Sequence, residues 1–101
     1  MSRHRMDDGS IVDTERAVES WKEERDWDGN NHIGKSSGTQ WDYQVLHKSR
    51  KGRYYIEFTS NWQGRRDHVE WQSPEDAARW LLHNDIELPE DLKHLEEEIS
   101  E

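Results

Sequence analysis

The strongest constraint on the fold is a two-residue periodicity that runs through the middle of the chain. Polar side chains alternate with aromatic or aliphatic ones over residues 41–48, 53–60 and 66–72. Successive side chains of a β-strand point to opposite faces, so this pattern predicts three strands. Residues 49–52 are predicted to form a hairpin loop that ends in glycine, and residues 61–65 a second loop, which makes the predicted sheet antiparallel.

The same alternation predicts which side of this sheet is buried. The more apolar set consists of Trp41, Tyr43, Val45, Tyr54, Ile56, Phe58, Val69 and Trp71. We expect that set to pack against a helix and the opposite side chains to form an exposed face.

A helix is predicted directly after the third strand. Ser73 can cap this helix, and Pro74 suits its first position. Glu75 and Asp76 complement the positive end of the helix dipole. The side chains that would cover the sheet are Ala77, Ala78, Leu81 and Leu82.

Weaker patterns flank this predicted unit. After Pro89, apolar side chains recur at spacings of three and four residues, which predicts a second short helix. Residues 1–38 are acidic, and we expect them to form a flexible segment that allows a short helix over residues 14–24. The predicted fold class is therefore α+β: a three-stranded antiparallel β-meander packed on one face by a C-terminal helix, within a β-β-β-α-α domain over residues 39–99.

Charge is distributed unevenly along the chain. The net charge is −9, but residues 41–72 hold six basic and four acidic side chains. Residues 73–101 hold two basic and ten acidic side chains. A polyanion would therefore contact the middle of the chain, although the acidic ends oppose strong non-specific binding of nucleic acid.

Residues 51–58 and 69–80 carry a glycine-aromatic second strand, a third strand ending near an aromatic, and an acidic-capped helix that opens with paired alanines. Over residues 43–84 the chain resembles the plant ethylene-response-factor DNA-binding domains and the arm-binding domains of transposon and phage integrases. In those families a three-stranded sheet backed by a helix lies in the DNA major groove. The contact residues that the resemblance implies, together with the loop residues, are Lys48, Arg50, Lys51, Arg53, Tyr55, Trp62, Arg65, Arg66 and His68.

Two functions remain open from the sequence. The first is a nucleic-acid-binding module that uses the exposed sheet face and the hairpin loops, with arginines on phosphate or base edges and aromatic rings stacking on bases. The second is an acidic adaptor that binds a basic protein, in which case the charges on the sheet face only pair across strands. The net negative charge favours the adaptor, and the predicted topology favours the nucleic-acid-binding module.

Several other classes of protein are not expected. The chain has no cysteine, and its six histidines show no helical ligand spacing, so we expect no metal or other cofactor. It also lacks a nucleophile elbow and a phosphate-cradling glycine loop, which argues against an enzyme. No long apolar run is present, so we expect a soluble, cytoplasmic protein without a membrane span. Open sheet edges would allow a monomer or an edge-paired dimer.

Overall fold

The computed structural model describes residues 3–6, 8–27, 29–61 and 67–99. Over these residues the elements are β1 (Arg3–Arg5), β2 (Ile11–Asp13), β3 (Glu19–Lys22), β4 (Arg25–Trp27), β5 (His32–Gly34), β6 (Asp42–Lys48), β7 (Tyr54–Ser60), β8 (His68–Gln72), α1 (Pro74–His83) and α2 (Glu96–Ile99). Short 3-10 turns lie at Thr14–Arg16 and Lys93–Leu95. Neither helix of this described part of the chain is long and apolar enough to cross a membrane.

The described strands form three antiparallel sheets. The main sheet has the order β3-β6-β7-β8, and two-stranded ribbons are formed by β1 with β2 and by β4 with β5. We call the first of these, residues 3–13, the N-terminal ribbon. The α+β class is confirmed, and the predicted strands β6, β7 and β8 are adjacent in the predicted order. The prediction of a three-stranded meander is wrong, because β3 pairs with β6 and adds a fourth strand to the sheet.

The short helix predicted over residues 14–24 is also wrong. The structure has a 3-10 turn at Thr14–Arg16 and then β3, which places Trp21 directly opposite Leu46. The spacing of Val18 and Trp21 suggested a helix. A helix of that length with so thin an apolar stripe gains little stability, whereas pairing with β6 satisfies backbone groups and packs Trp21 beside Tyr54, with ring centroids 6.3 Å apart.

The C-terminal part follows the predicted order. Ser73 Oγ accepts a hydrogen bond from Asp76 N at 3.1 Å, and α1 begins at Pro74 as expected. The second helix begins later than Pro89, because the chain first forms turns and the Lys93–Leu95 3-10 segment before α2. The residues that build the core between α1, the C-terminal segment and the sheet are Leu46, Tyr54, Ile56, Ala77, Ala78, Trp80, Leu81, Leu88, Leu92 and Leu95.

The assignment of side chains to the two faces of the main sheet is only partly correct. Tyr54 and Ile56 pack under α1 as predicted, and we call their side the helix face. Directly opposite residues share a face, and the register places Leu46 opposite Ile56. Tyr43, Val45, Val69 and Trp71, which were expected on the helix face, therefore lie on the other side, and Trp41 is 43% exposed.

That other side, which we call the ribbon face, is not the open surface that the sequence predicted. Tyr55 is only 1% exposed, and it forms a small core with Met6 and Val12 of the N-terminal ribbon. Its ring lies edge-on to Trp71, with centroids 5.8 Å apart. Alternation alone could not identify the buried side, because apolar surface on both faces of this sheet is covered.

A buried carboxylate fixes the connection between β3, β4 and β6. The Glu23 side chain accepts hydrogen bonds from the backbone N–H groups of Ser36 (3.1 Å), Ser37 (2.8 Å) and Gln44 (3.1 Å). Arg25 Nη1 donates to the same carboxylate at 3.1 Å. Removing one partner of a buried, hydrogen-bonded charge pair is strongly destabilising, because the other groups are left without a partner.

We expect Glu23→Ala to lower the free energy of unfolding by about 3 kcal/mol or more, because it removes the carboxylate beside Arg25 and leaves three backbone N–H groups without an acceptor. Urea denaturation measures the change. The matched control is Glu24→Ala, since Glu24 is exposed and its ion pair with Lys35 at 3.4 Å is a surface contact. Equal urea midpoints for the two variants would show that the Glu23 carboxylate does not organise this part of the fold.

Candidate functional site

A groove of about 800 Å³ lies between the N-terminal ribbon and the loop that joins β6 to β7. We call it the basic groove. It is lined by Arg3, Ser10, Ile11, Val12, Asp13, Arg16, Ala17, Ser49, Arg50, Lys51, Arg53, Tyr55 and Trp71. Its volume lies within the range of pockets that hold organic ligands, roughly 300 to 1,000 Å³.

The charge of this groove is opposite to that of the whole chain. Among its described lining residues, five side chains are basic and only that of Asp13 is acidic. The Asp13 carboxylate is already engaged, because it accepts a hydrogen bond from Glu15 N at 3.0 Å and lies 3.8 Å from Arg16 Nε. A chain with a net charge of −9 therefore presents a local excess of positive charge on a concave surface.

The loop that carries two of these cations is a well-defined turn. Ser49 N donates to the carbonyl of Arg53 at 2.7 Å, and Gly52 N donates to the carbonyl of Ser49 at 2.9 Å. Gly52 has φ 85°, the left-handed conformation that glycine adopts without strain. These bonds place the exposed side chains of Arg50 and Lys51 at the tip of the turn.

Arg53 occupies a more constrained position. Its guanidinium carbon lies 3.7 Å from the centroid of the Trp71 ring, which is within the range of a cation–π contact. Its Nη1 lies 3.4 Å from Asp8 Oδ2. Hydrogen bonds from Ser10, assisted by Arg53, lower the pKa of Asp8 below its ordinary value. The Arg53 side chain remains 53% exposed, so the guanidinium still faces solvent.

The N-terminal ribbon supplies the opposite wall of the groove. Met6 N donates to the carbonyl of Ser10 at 2.8 Å, and Gly9 N donates to the carbonyl of Met6 at 3.0 Å, which closes the turn of the ribbon. His4 Nε2 lies 3.8 Å from Glu57 Oε2 of β7, beyond hydrogen-bond distance. Ile11 is 63% exposed, so this wall also offers an apolar surface to the groove.

A hydrogen-bonded network below the ribbon ties three strands together. Ser20 Oγ lies 2.6 Å from His47 Nδ1, and His47 Nε2 lies 3.0 Å from Glu57 Oε1. The geometry fits the tautomer in which Nε2 donates to Glu57 and Nδ1 accepts from the hydroxyl of Ser20. The buried imidazole also stacks on Tyr55, with centroids 5.1 Å apart, so the network fixes the position of that ring.

The structure brings together three of the predicted contact residues, namely Arg50, Lys51 and Arg53, all of which line the basic groove. Tyr55 also lines it, but its burial beneath the ribbon removes the exposed ring that stacking on a base would need. The hydrophobic ring is covered because Met6 and Val12 pack on it.

Other predicted contact residues lie elsewhere. Lys48 is on the helix face, where its Nζ lies 3.1 Å from Asp91. His68 stacks on Phe58, with ring centroids 4.6 Å apart, and does not line the groove. Trp62, Arg65 and Arg66 lie outside the described residues.

Sequence reasoning missed Arg3 and Arg16 because residues 1–38 were expected to form a flexible segment. A signal for the ribbon was present in the Asp8–Gly9 dipeptide, which is a strong hairpin signal when it lies between potential strands. Gly9 has φ 87°, the left-handed conformation that glycine adopts without strain. No comparable signal in the sequence indicates that this ribbon folds back on Tyr55.

The side chains that commonly bind metal ions are spread over the described part of the chain. Over residues 3–6, 8–27, 29–61 and 67–99, no three His, Asp or Glu side chains are grouped in a way that could hold a metal ion.

Known protein-family models, curated proteins and solved structures contain no match to this chain. A fold by itself does not determine a function. The function therefore has to be inferred from the residues of the basic groove.

The burial of Tyr55 has a consequence at alkaline pH. Burial, together with the nearby charges of Glu57 and Asp13, raises the pKa of Tyr55 from 10.0 to about 12. The phenol is thus harder to ionise in the folded state, so its contribution to stability is complete below pH 10 and is lost as the pH rises to about 12.

We expect Tyr55→Phe, which keeps the ring and removes the ionisable hydroxyl, to lose less stability than the wild type between pH 10 and about 12. Urea denaturation at several pH values in that range measures the difference. Identical losses in the two proteins would show that the Tyr55 hydroxyl ionises without opposition from its surroundings.

Proposed function

We propose that this protein is a non-enzymatic recognition module that binds the phosphate backbone of a nucleic acid in the basic groove. The observation that carries the proposal is the convergence of five basic side chains on one concave surface of a strongly acidic chain. Arginine and lysine are the side chains that most often contact phosphate oxygens. Arg50 and Lys51 at the tip of the turn are free to meet successive phosphates.

The position of the acidic residues makes this binding compatible with the net charge. Nine acidic side chains belong to residues 73–99, and this segment packs on the helix face of the main sheet. The basic groove lies on the ribbon face. A helix is about 10 Å across and charges are screened over about 8 Å at physiological salt, so the outer carboxylates of the helical side repel a bound strand only weakly.

The proposed contact differs from the one that the family resemblance implies. A sheet that lies in the DNA major groove needs an uncovered face, and the N-terminal ribbon covers Tyr55. In our proposal the ligand contacts the side of the ribbon and the hairpin turn instead, and Lys48 and His68 take no part.

An acidic adaptor for a basic protein is the competing function. Glu96, Glu97 and Glu98 are exposed on α2, and such a cluster would attract lysine-rich or arginine-rich segments. In that case the basic groove would carry only solvated charges. A monomer or a dimer paired through β3 or β8, the edge strands of the described main sheet, is compatible with either function. A cytoplasmic location stays a prediction.

We expect Arg50→Ala combined with Lys51→Ala to weaken the binding of a labelled oligonucleotide. Each phosphate contact that is lost should reduce the slope of log affinity against log salt by about 0.7 to 0.9. Fluorescence anisotropy titrations between about 50 and 200 mM salt measure both quantities.

The matched control combines Arg79→Ala with Lys93→Ala, which removes two exposed cations from the helical side of the molecule. We expect this control to bind as the wild type does. The proposal fails if the wild type shows no binding at low salt, or if the two double variants weaken binding equally. Binding of polylysine, lost on replacement of Glu96, Glu97 and Glu98 by glutamine, would instead support the adaptor.

A further inference from the structure

We infer that the basic groove binds a single strand in preference to a duplex, with one base stacked on the guanidinium of Arg53. This inference rests on the proposed function and specifies its ligand. It follows from the shape of the groove, its apolar surface, and the two contacts that Arg53 already makes.

The shape of the site favours a single strand. The major groove of a duplex accepts a projecting helix or β-ribbon, so proteins that read it present convex elements. Here the cations line a concave space of about 800 Å³ between the ribbon and the hairpin turn. A flexible strand of a few nucleotides can enter such a space, whereas a rigid double helix would meet only its rim.

The groove also contains more apolar surface than phosphate binding needs. Ile11 is 63% exposed at its wall, and Ala17 and Trp71 line it as well. Phosphates gain nothing from such surface. Unpaired bases can bind such surface, because their faces stack on flat or apolar side chains. In a duplex the same faces are stacked inside the helix.

The contacts of Arg53 assign its role within the groove. One side of its guanidinium lies over the Trp71 ring at 3.7 Å, and Nη1 lies 3.4 Å from the carboxylate of Asp8. A second anion beside Asp8 would be repelled, so Arg53 is poorly placed to bind phosphate. Its side chain is 53% exposed, and the outer side of the guanidinium can therefore take a base. Arg3, Arg50 and Lys51, which line the groove without an ion-paired carboxylate in the described part of the chain, are then left to contact phosphates.

Three probes of equal length and label test this inference in the intact chain. They are a short single strand, the duplex of the same sequence, and an abasic strand that keeps the phosphates and sugars without the bases. At the same salt concentration we expect the single strand to bind about tenfold more tightly than either of the others, as the loss of one base-stacking contact would predict.

Two variants locate the base. Arg53→Ala should bring the affinity for the single strand close to that for the abasic strand, and it should also weaken both, because the Asp8 carboxylate loses its cation. Arg53→Lys keeps the positive charge beside Asp8 but removes the planar group, so it should also abolish the preference for the single strand over the abasic strand. The thermal midpoint of this variant should be unchanged. Arg50→Ala is the control, because the loss of a phosphate contact should lower the affinity for the single strand and for the abasic strand by the same factor.

The outcomes separate the inference from the proposed function. Equal affinity for the duplex and the single strand would overturn the inference and leave groove binding intact. The same holds if Arg53→Lys still prefers the single strand to the abasic strand. No binding of any probe at low salt would overturn both.

Discussion

The packing of the N-terminal ribbon on Tyr55 determines which surfaces of this protein are available. Met6 and Val12 bury the Tyr55 ring on the side of the main sheet away from α1. The same contact brings the ribbon beside the β6–β7 turn and so creates the basic groove. The exposed ion pair between Asp8 and Arg53 adds a surface contact between the ribbon and the start of β7.

The two faces of the main sheet then have different chemistry. The helix face holds the larger core and carries the acidic C-terminal segment, and the ribbon face holds the smaller core and the cations of the groove. The Glu23 carboxylate fixes the start of β6 and the loop before it, which keeps β3 at the edge of the sheet. The cations of the groove and the acidic C-terminal segment therefore lie on opposite sides of the main sheet.

The sequence predicted the parts of the fold whose signals are local. The strand conformation of β7, the turn ending at Gly52 and the cap at Ser73 each depend on neighbouring residues, and all three are found in the structure. β3 could not be predicted, because its strand conformation depends on pairing with β6, which is distant in the sequence. The prediction that Trp71 lies on the helix face was wrong for a related reason. The face of Trp71 is set by the register with Tyr55, and both sides of the sheet carry apolar residues. The hairpin half of the candidate site was therefore predictable and the ribbon half was not.

Nuclear Overhauser effects measure directly whether the N-terminal ribbon lies on Tyr55. In protein labelled on its methionine methyl groups, the Met6 methyl should show strong cross-peaks to the ring protons of Tyr55, because both side chains belong to one buried cluster. The absence of those cross-peaks in a sample whose β6–β7 pairing is intact would mean that the ribbon face is open, and would contradict the account.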